Sequence, residues 1–146
     1  MVRSKTFLSK NEKETFELGK KIAKECNGGE VFLLKGELGA GKTVFAKGVA
    51  IGLGVQKVVQ SPTFVLRRDY KTKCNGVKKL IHIDLYRLKK GNASDIEFLE
   101  DVGEKNTVTL IEWPERVNLK KLLGKKQEIF IFIKGGNRRV IILTKT

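Results

Sequence analysis

A chain of 146 residues and 16.4 kDa has room for one domain with a real core, here residues 1–146 as a whole, and its 40% hydrophobic content with two prolines excludes bulk disorder. Its longest apolar runs, such as 31–34 and 129–133, fall far short of the roughly 18 residues of a membrane helix, and the opening MVRSKTFLSKNEKE lacks the apolar segment of a secretory leader, so a cytosolic protein is expected. The net charge of +14 invites a phosphate-bearing partner, yet lysine far outnumbers arginine and is scattered in pairs, such as Lys20-Lys21, Lys78-Lys79 and Lys125-Lys126, on separate segments.

Short strand-like and helix-like segments alternate along the chain. Residues 5–8 read as a strand. Ser9-Lys10-Asn11-Glu12 reads as a capping box, with Ser9 accepting from the first turn and Glu12 reaching back. Phe16, Gly19, Ile22 and Ala23 then recur at helical spacing, predicting a helix to about Cys26, stopped by Asn27-Gly28-Gly29. Residues 30–35 form an apolar strand, and 43–52 a helix with Phe45, Ala46, Val49 and Ala50 inward. Strands at 61–70 and 80–88 flank Asn75-Gly76, a hairpin signal. A short helix at 95–103, a strand at 107–112, a helix at 114–123 and a closing hairpin of 128–134 with 138–144 follow. Helices between strands early and hairpins late predict an α/β layered domain with a mixed parallel and antiparallel sheet. Cys26 and Cys74 are far apart, and with one histidine in the chain no zinc site of the usual kind can be assembled. Both thiols are expected free and reduced.

Between the 30–35 strand and the 43–52 helix lies Gly36-Glu37-Leu38-Gly39-Ala40-Gly41-Lys42-Thr43, which fits G-x-x-x-x-G-K-[ST] at every fixed position. The glycines let backbone N–H groups turn toward a phosphate. Lys42 supplies a positive charge, the Thr43 hydroxyl is a magnesium ligand of the required kind, and the following helix aims its N-terminus at the anion. A guanine reader of the form N-K-x-D is missing, since Asn92-Ala93-Ser94-Asp95 lacks the lysine, so the expected nucleotide is ATP with Mg²⁺.

Such a loop needs an acid to complete the metal site and a group to orient water. In Ile81-His82-Ile83-Asp84-Leu85-Tyr86, alternation puts His82, Asp84 and Tyr86 on one face and the apolar residues on the other; the alternative is a solvent-facing strand. The strand at 107–112 delivers Glu112 at its C-terminal end, where ligands gather in open α/β sheets, followed by Trp113. Residue type leaves open which of Asp84 and Glu112 holds metal and which orients water. Ser61, Pro62, Thr63 and Phe64 form a hydroxyl-bearing turn that can act as a switch or simply open a strand.

GELGAGKT, SPTF, HIDLYRL and IEWPER, in this order in so short a chain, resemble the bacterial TsaE (YjeE) family of small P-loop ATPases, which serve in making N6-threonylcarbamoyladenosine in tRNA. The resemblance covers nearly the whole chain. It implies a three-layer P-loop NTPase-like domain with helices on both faces of a mixed sheet. It implies Gly39 to Thr43 as the ATP cradle, Thr43 and Glu112 at the magnesium positions, Asp84 as the acid for water or metal, and Ser61 to Phe64 as the switch, with His82, Tyr86 and Trp113 beside it. Glu12, Thr15 and Arg138 are the implied base or ribose contacts. The implied partner is a TsaB–TsaD heterodimer, reset between cycles by ATP hydrolysis, with tRNA reached through that complex and a monomer in isolation. A small P-loop kinase and a basic RNA-binding module that uses ATP as a sensor are the alternative functions.

Overall fold

The computed structural model describes residues 3–60, 66–74, 76–88, 96–120, 122 and 124–145. Nine elements follow in chain order: β1 (Arg3–Ser9), α1 (Glu12–Lys24), β2 (Glu30–Lys35), α2 (Lys42–Gly52), β3 (Arg67–Cys74), β4 (Val77–Asp84), β5 (Thr107–Glu112), β6 (Lys125–Gly135) and β7 (Arg138–Lys145). The strands form one sheet in the order β1-β7-β6-β2-β5-β4-β3. The four central strands β6, β2, β5 and β4 run parallel. β7 and β1 extend one side antiparallel, and β3 closes the other. The expected mixed sheet is present, and its parallel centre explains why β2 and β5 read as nearly unbroken apolar runs: both of their faces are covered.

Alternation along the strands separates two cores. Phe32, Leu34, Leu80, Val108, Leu110, Ile129 and Ile131 pack with Ile22 and Ala23 of α1 and with Phe45, Ala46, Val49 and Ala50 of α2. Val31, Leu33, Ile81, Ile83 and Ile111 point the other way, under Val102, Leu99, Val117, Leu119 and Leu122. Both α-helices therefore share one face. Among the described residues, the implied helices of the other face are two 3₁₀ turns, Ile96–Leu99 and Pro114–Arg116.

Several element boundaries differ from the sequence reading, three of them for a clear local reason. The cap of α1 is Asn11, whose side chain accepts from the Glu14 N–H at 2.9 Å, while Glu14 accepts from Lys10 N at 3.2 Å. Ser9 stays in β1 and its hydroxyl donates to Asn11 O. β4 ends at Asp84 because that carboxylate accepts the Tyr86 N–H at 3.0 Å, turning the chain. The helix expected at 114–123 stops at Arg116: Val117 is extended, and Asn118 accepts the Lys120 N–H at 3.1 Å, an Asx turn that competes with helix. Of the strand expected at 61–70, residues 61–65 lie outside the described residues, and the ladder begins at Arg67. β3 and β4 do pair as a hairpin, with Cys74 opposite Val77, and of its turn signal Asn75 lies outside the described residues.

The two helices touch through glycine. A Cβ on Gly48 would lie 2.1 Å from Phe16 O, and one on Gly19 would lie 2.4 Å from Phe45 O. Both obstacles are backbone, so neither can swing away. Gly48→Ala gains about 1 kcal/mol of helix propensity but meets an overpacking cost at the upper end of the usual range, about 3 kcal/mol. A net loss of about 2 kcal/mol is expected, read as a lower urea midpoint at unchanged slope.

Both cysteines are free, as expected, and Cys26 is buried. Burial first, then the Glu30 and Glu25 carboxylates, push its thiol up to about 12. The thiolate is the reactive form, so alkylation of native protein at pH 8 is expected to modify Cys74 and leave Cys26 until unfolding, as read by mass spectrometry. Equal labelling of both would contradict this burial.

Candidate nucleotide site

Parallel register builds the site. Asp84 pairs with Glu112 across β4 and β5, and Glu112 with Leu34 across β5 and β2. The row lies at the C-terminal ends of these strands, where β2 gives way to the glycine loop. Since Leu80 and Leu110 face the helices, period-2 alternation turns His82, Asp84 and Glu112 to the same side, beneath the start of α2. All three are buried, so the solvent-facing reading of the His/Asp row does not hold.

The loop from Gly36 to Gly41 is shaped by two requirements. A Cβ on Gly36 would meet Ile131 O at 2.7 Å, because β6 packs against the back of the loop. Gly41 caps α2 with φ 110° and gives no side-chain cap. The N–H groups of that first turn are thus left for another acceptor. Lys42, the first residue of α2, is 6% exposed. Its ammonium donates to Gly36 O and, at 3.5 Å, to Glu37 O, and lies 3.9 Å from the centroid of the Trp113 ring. Burial pushes the Lys42 ammonium below its ordinary range, and the Glu112, Glu115 and Asp84 carboxylates partly offset this.

Glu112 is 3% exposed and its Oε2 accepts from His82 Nε2 at 2.7 Å. His82 is wholly buried, and its Nδ1 has no partner among the described residues. Trp113 follows in a left-handed conformation with φ 58°, unusual for a bulky residue. That turn lets its ring pack on the far-face cluster and still reach Lys42 and Tyr86, the latter with ring centroids 5.1 Å apart.

These groups surround a cleft of about 380 Å³ lined by Leu38 to Val44, Asp84, Tyr86, Glu112 and Trp113, with Glu12 at its rim. A second cleft of about 380 Å³ lies at the opposite ends of the parallel strands, between Cys26, Glu30 and Lys125, where no motif residue reaches. The first cleft's donor set fits a phosphorylated ligand. It offers a backbone cradle, one ammonium, the Thr43 hydroxyl and two carboxylates. No group of three or more acidic, histidine or cysteine side chains that could hold a metal is present among the described residues. The Thr43 hydroxyl and the two carboxylates are oxygen donors of the kind magnesium takes together with phosphate oxygens.

The remaining sequence candidates divide. Thr15 is 2% exposed and its hydroxyl pairs with that of Ser9 at 2.7 Å, and with Glu12 it lines a small pocket beside Gly39 to Gly41. Ser61, Pro62, Thr63 and Phe64 lie outside the described residues. Arg138 lines a neighbouring pocket, and it is Arg139 that holds the loop, donating from Nε to Ala40 O at 2.8 Å and from Nη2 to Gly39 O at 3.2 Å. In a trans peptide C=O and N–H point opposite ways, so a carbonyl held from outside turns the next N–H inward, here that of Gly41. Sequence reasoning missed Arg139, although counting back by twos from Ile141 and Leu143 selects it.

The family model for the threonylcarbamoyl adenosine biosynthesis protein TsaE matches residues 9–141, a span holding the whole cleft. A curated tRNA threonylcarbamoyladenosine biosynthesis protein TsaE of Bacillus subtilis is 36% identical over 92% of this chain and 81% of its own length. That of Aquifex aeolicus is 41% identical over 77% and 78%. That of Mycobacterium tuberculosis is 37% identical over 70% of this chain, a match spanning 64% of the relative's length. The crystal structure of Bacillus subtilis YdiB superposes with a TM-score of 0.74 at 32% identity, covering 99% of this chain and 87% of that one. With its fold, its glycine loop and most of its length matched, the chain belongs to the TsaE family.

Proposed function

We propose that this chain is the ATP-binding and ATP-hydrolysing member of the machinery that makes N6-threonylcarbamoyladenosine in tRNA, and that its turnover resets a TsaB–TsaD heterodimer. The family carries the tRNA-modification reading. The observation that carries the ATPase reading is the shared row of Asp84 and Glu112 facing Lys42 and Thr43 across one cleft.

The chemistry assigned to each residue follows from its placement. The Gly39–Thr43 N–H groups bind phosphate oxygens, and Arg139 keeps the loop set for them. Lys42 exchanges the Gly36 and Glu37 carbonyls for phosphate, whose charge offsets the cost of burying the ammonium. Thr43 with Glu112 or Asp84 would hold magnesium, which when bound neutralises charge on the β- and γ-phosphates. The other carboxylate orients the attacking water. His82 fixes the Glu112 carboxylate by donating to Oε2. Trp113 and Tyr86 wall the cleft against water. The isolated chain is a slow ATPase whose turnover rises when a partner completes the site.

Hydrolysis by the purified chain, alone and with the TsaB–TsaD pair of the same organism, tests this reading. Strong stimulation by the pair is expected. Lys42→Ala removes a charged hydrogen bond of about 1.5–3 kcal/mol and is expected to weaken ATP binding about tenfold or more. Glu112→Gln or Asp84→Asn is expected to leave binding within about threefold and to slow turnover by about 10²-fold or more, the usual scale for a positioned acid or base. Normal turnover in both acid variants, or phosphoryl transfer to a small acceptor without the pair, would overturn the assignment.

A further inference from the structure

The face of the sheet away from the helices is only half covered. Over β2, β5 and β4 it is packed by Leu119, Leu122, Val117 and Leu99. Over β6, β7 and β1 none of the described segments packs on it. Cross-strand pairing aligns Leu8, Val140 and Phe132 in one row and Thr6, Ile142 and Phe130 in the next. Leu8 is 69% exposed and Phe132 49%. The rings of Phe130 and Phe132 lie parallel with centroids 6.0 Å apart. On the opposite side of the same strands Ile131 and Ile141 are buried under the helices, with Phe7 packed beside them. These strands are thus apolar on both faces, the pattern of a sheet meant to be covered twice.

We propose that this open face of β1, β7 and β6 is the docking surface for the protein partner of the ATPase cycle, and that it fits an apolar ridge flanked by carboxylates. The charge around the row decides the occupant. The one carboxylate these three strands contain is Glu128, and Lys35 holds it at 3.1 Å. Beside Leu8 a pocket of about 210 Å³ is lined by Lys10, Lys134, Arg138 and Arg139 without any acid. A second copy docked by two-fold symmetry would set these cations against their own equivalents. RNA would match the charge and could stack on the exposed Phe132 ring, but the aliphatic side chains of Leu8, Val140 and Ile142 beside it would have no counterpart on a nucleic acid. An acidic protein surface satisfies both the aliphatic centre and the basic rim.

The same hairpin also joins this face to the nucleotide site. Arg139 lies next to Val140 in the chain, points to the other side, and holds the Gly39 and Ala40 carbonyls. A protein seated on the hairpin is one residue away from the group that shapes the glycine loop. The identity of the partner rests on the proposed function, so the probe is the purified TsaB–TsaD pair.

Binding of the pair to wild type, Phe132→Glu, Leu8→Glu and Val58→Glu is compared by titration calorimetry. The Phe132→Glu and Leu8→Glu variants replace exposed side chains and should fold, and either alone suffices if the other does not. Val58, 81% exposed outside these strands, is the control. Phe132→Glu and Leu8→Glu are expected to weaken the pair about tenfold or more, as central interface positions do, with melting temperature and ATP affinity unchanged and Val58→Glu within about twofold of wild type. Unchanged affinity in both variants overturns the proposal while leaving the partner reading intact. Loss of tRNA binding with pair binding kept marks a nucleic-acid face, and a wild-type dimer that the variants dissolve marks self-association; either overturns it. Wild type that fails to bind the pair removes the partner reading and this proposal together, and the wild-type isotherm alone distinguishes that result.

Discussion

The parallel ladder through β4, β5 and β2 is the constraint on which the site depends. Its register places Asp84, Glu112 and Leu34 in one row. A slip of one residue in any of the three strands would turn its side chains to the opposite face. Asp84 or Glu112 would then enter the apolar cluster around Ile83 and Ile111, and an Ile would face the cleft. Both core faces are therefore negative controls on register: each rejects the polar set of the other. Hydrophobic alternation along whole strands brings the two carboxylates to this face, where His82 and the Tyr86 N–H hold them.

That placement concentrates charge out of water. Lys42, Asp84 and Glu112 are each at most 7% exposed. Removing an ion from water costs several kcal/mol unless partners replace the solvent. Among the replacements, Glu112 has His82, Asp84 has the Tyr86 N–H and further contacts, and Lys42 has two loop carbonyls and the face of Trp113. Among the described residues the Nδ1 of His82 has no partner, and a buried nitrogen in that state has free energy to gain from any donor or acceptor that reaches it.

Features written in short windows were legible in the sequence. β2 and β5 have the bounds their apolar runs indicate, and the glycine loop lies between strand and helix as its motif requires. Features decided by competition between local options were not. Ser9 and Asn11 can both cap a helix, and Ser9 is retained by pairing with Arg139 in the β1–β7 ladder. Pro114 to Leu122 has a helical look, yet Trp113 enters it in a left-handed turn and Asn118 takes a backbone N–H for itself. The choice between Arg138 and Arg139 follows from strand parity, which motif matching ignores. The distribution of helices depends on which face of the sheet each crossover packs against, and no window of sequence states that.

The antiparallel strands give the parallel core what it lacks. A parallel strand pair with a helix yields a loop whose carbonyls point outward with nothing to hold them. The turn between β6 and β7 supplies a guanidinium that bonds Gly39 and Ala40 on the loop and Gly136 and Arg138 on its own turn. Five planar donors in a fixed fork can tie two carbonyl pairs together, whereas a lysine could reach one side or the other. The loop's shape is in this way referred to a hairpin far along the chain, and any force that shifts that hairpin is felt first at the peptide planes of Gly39 and Ala40.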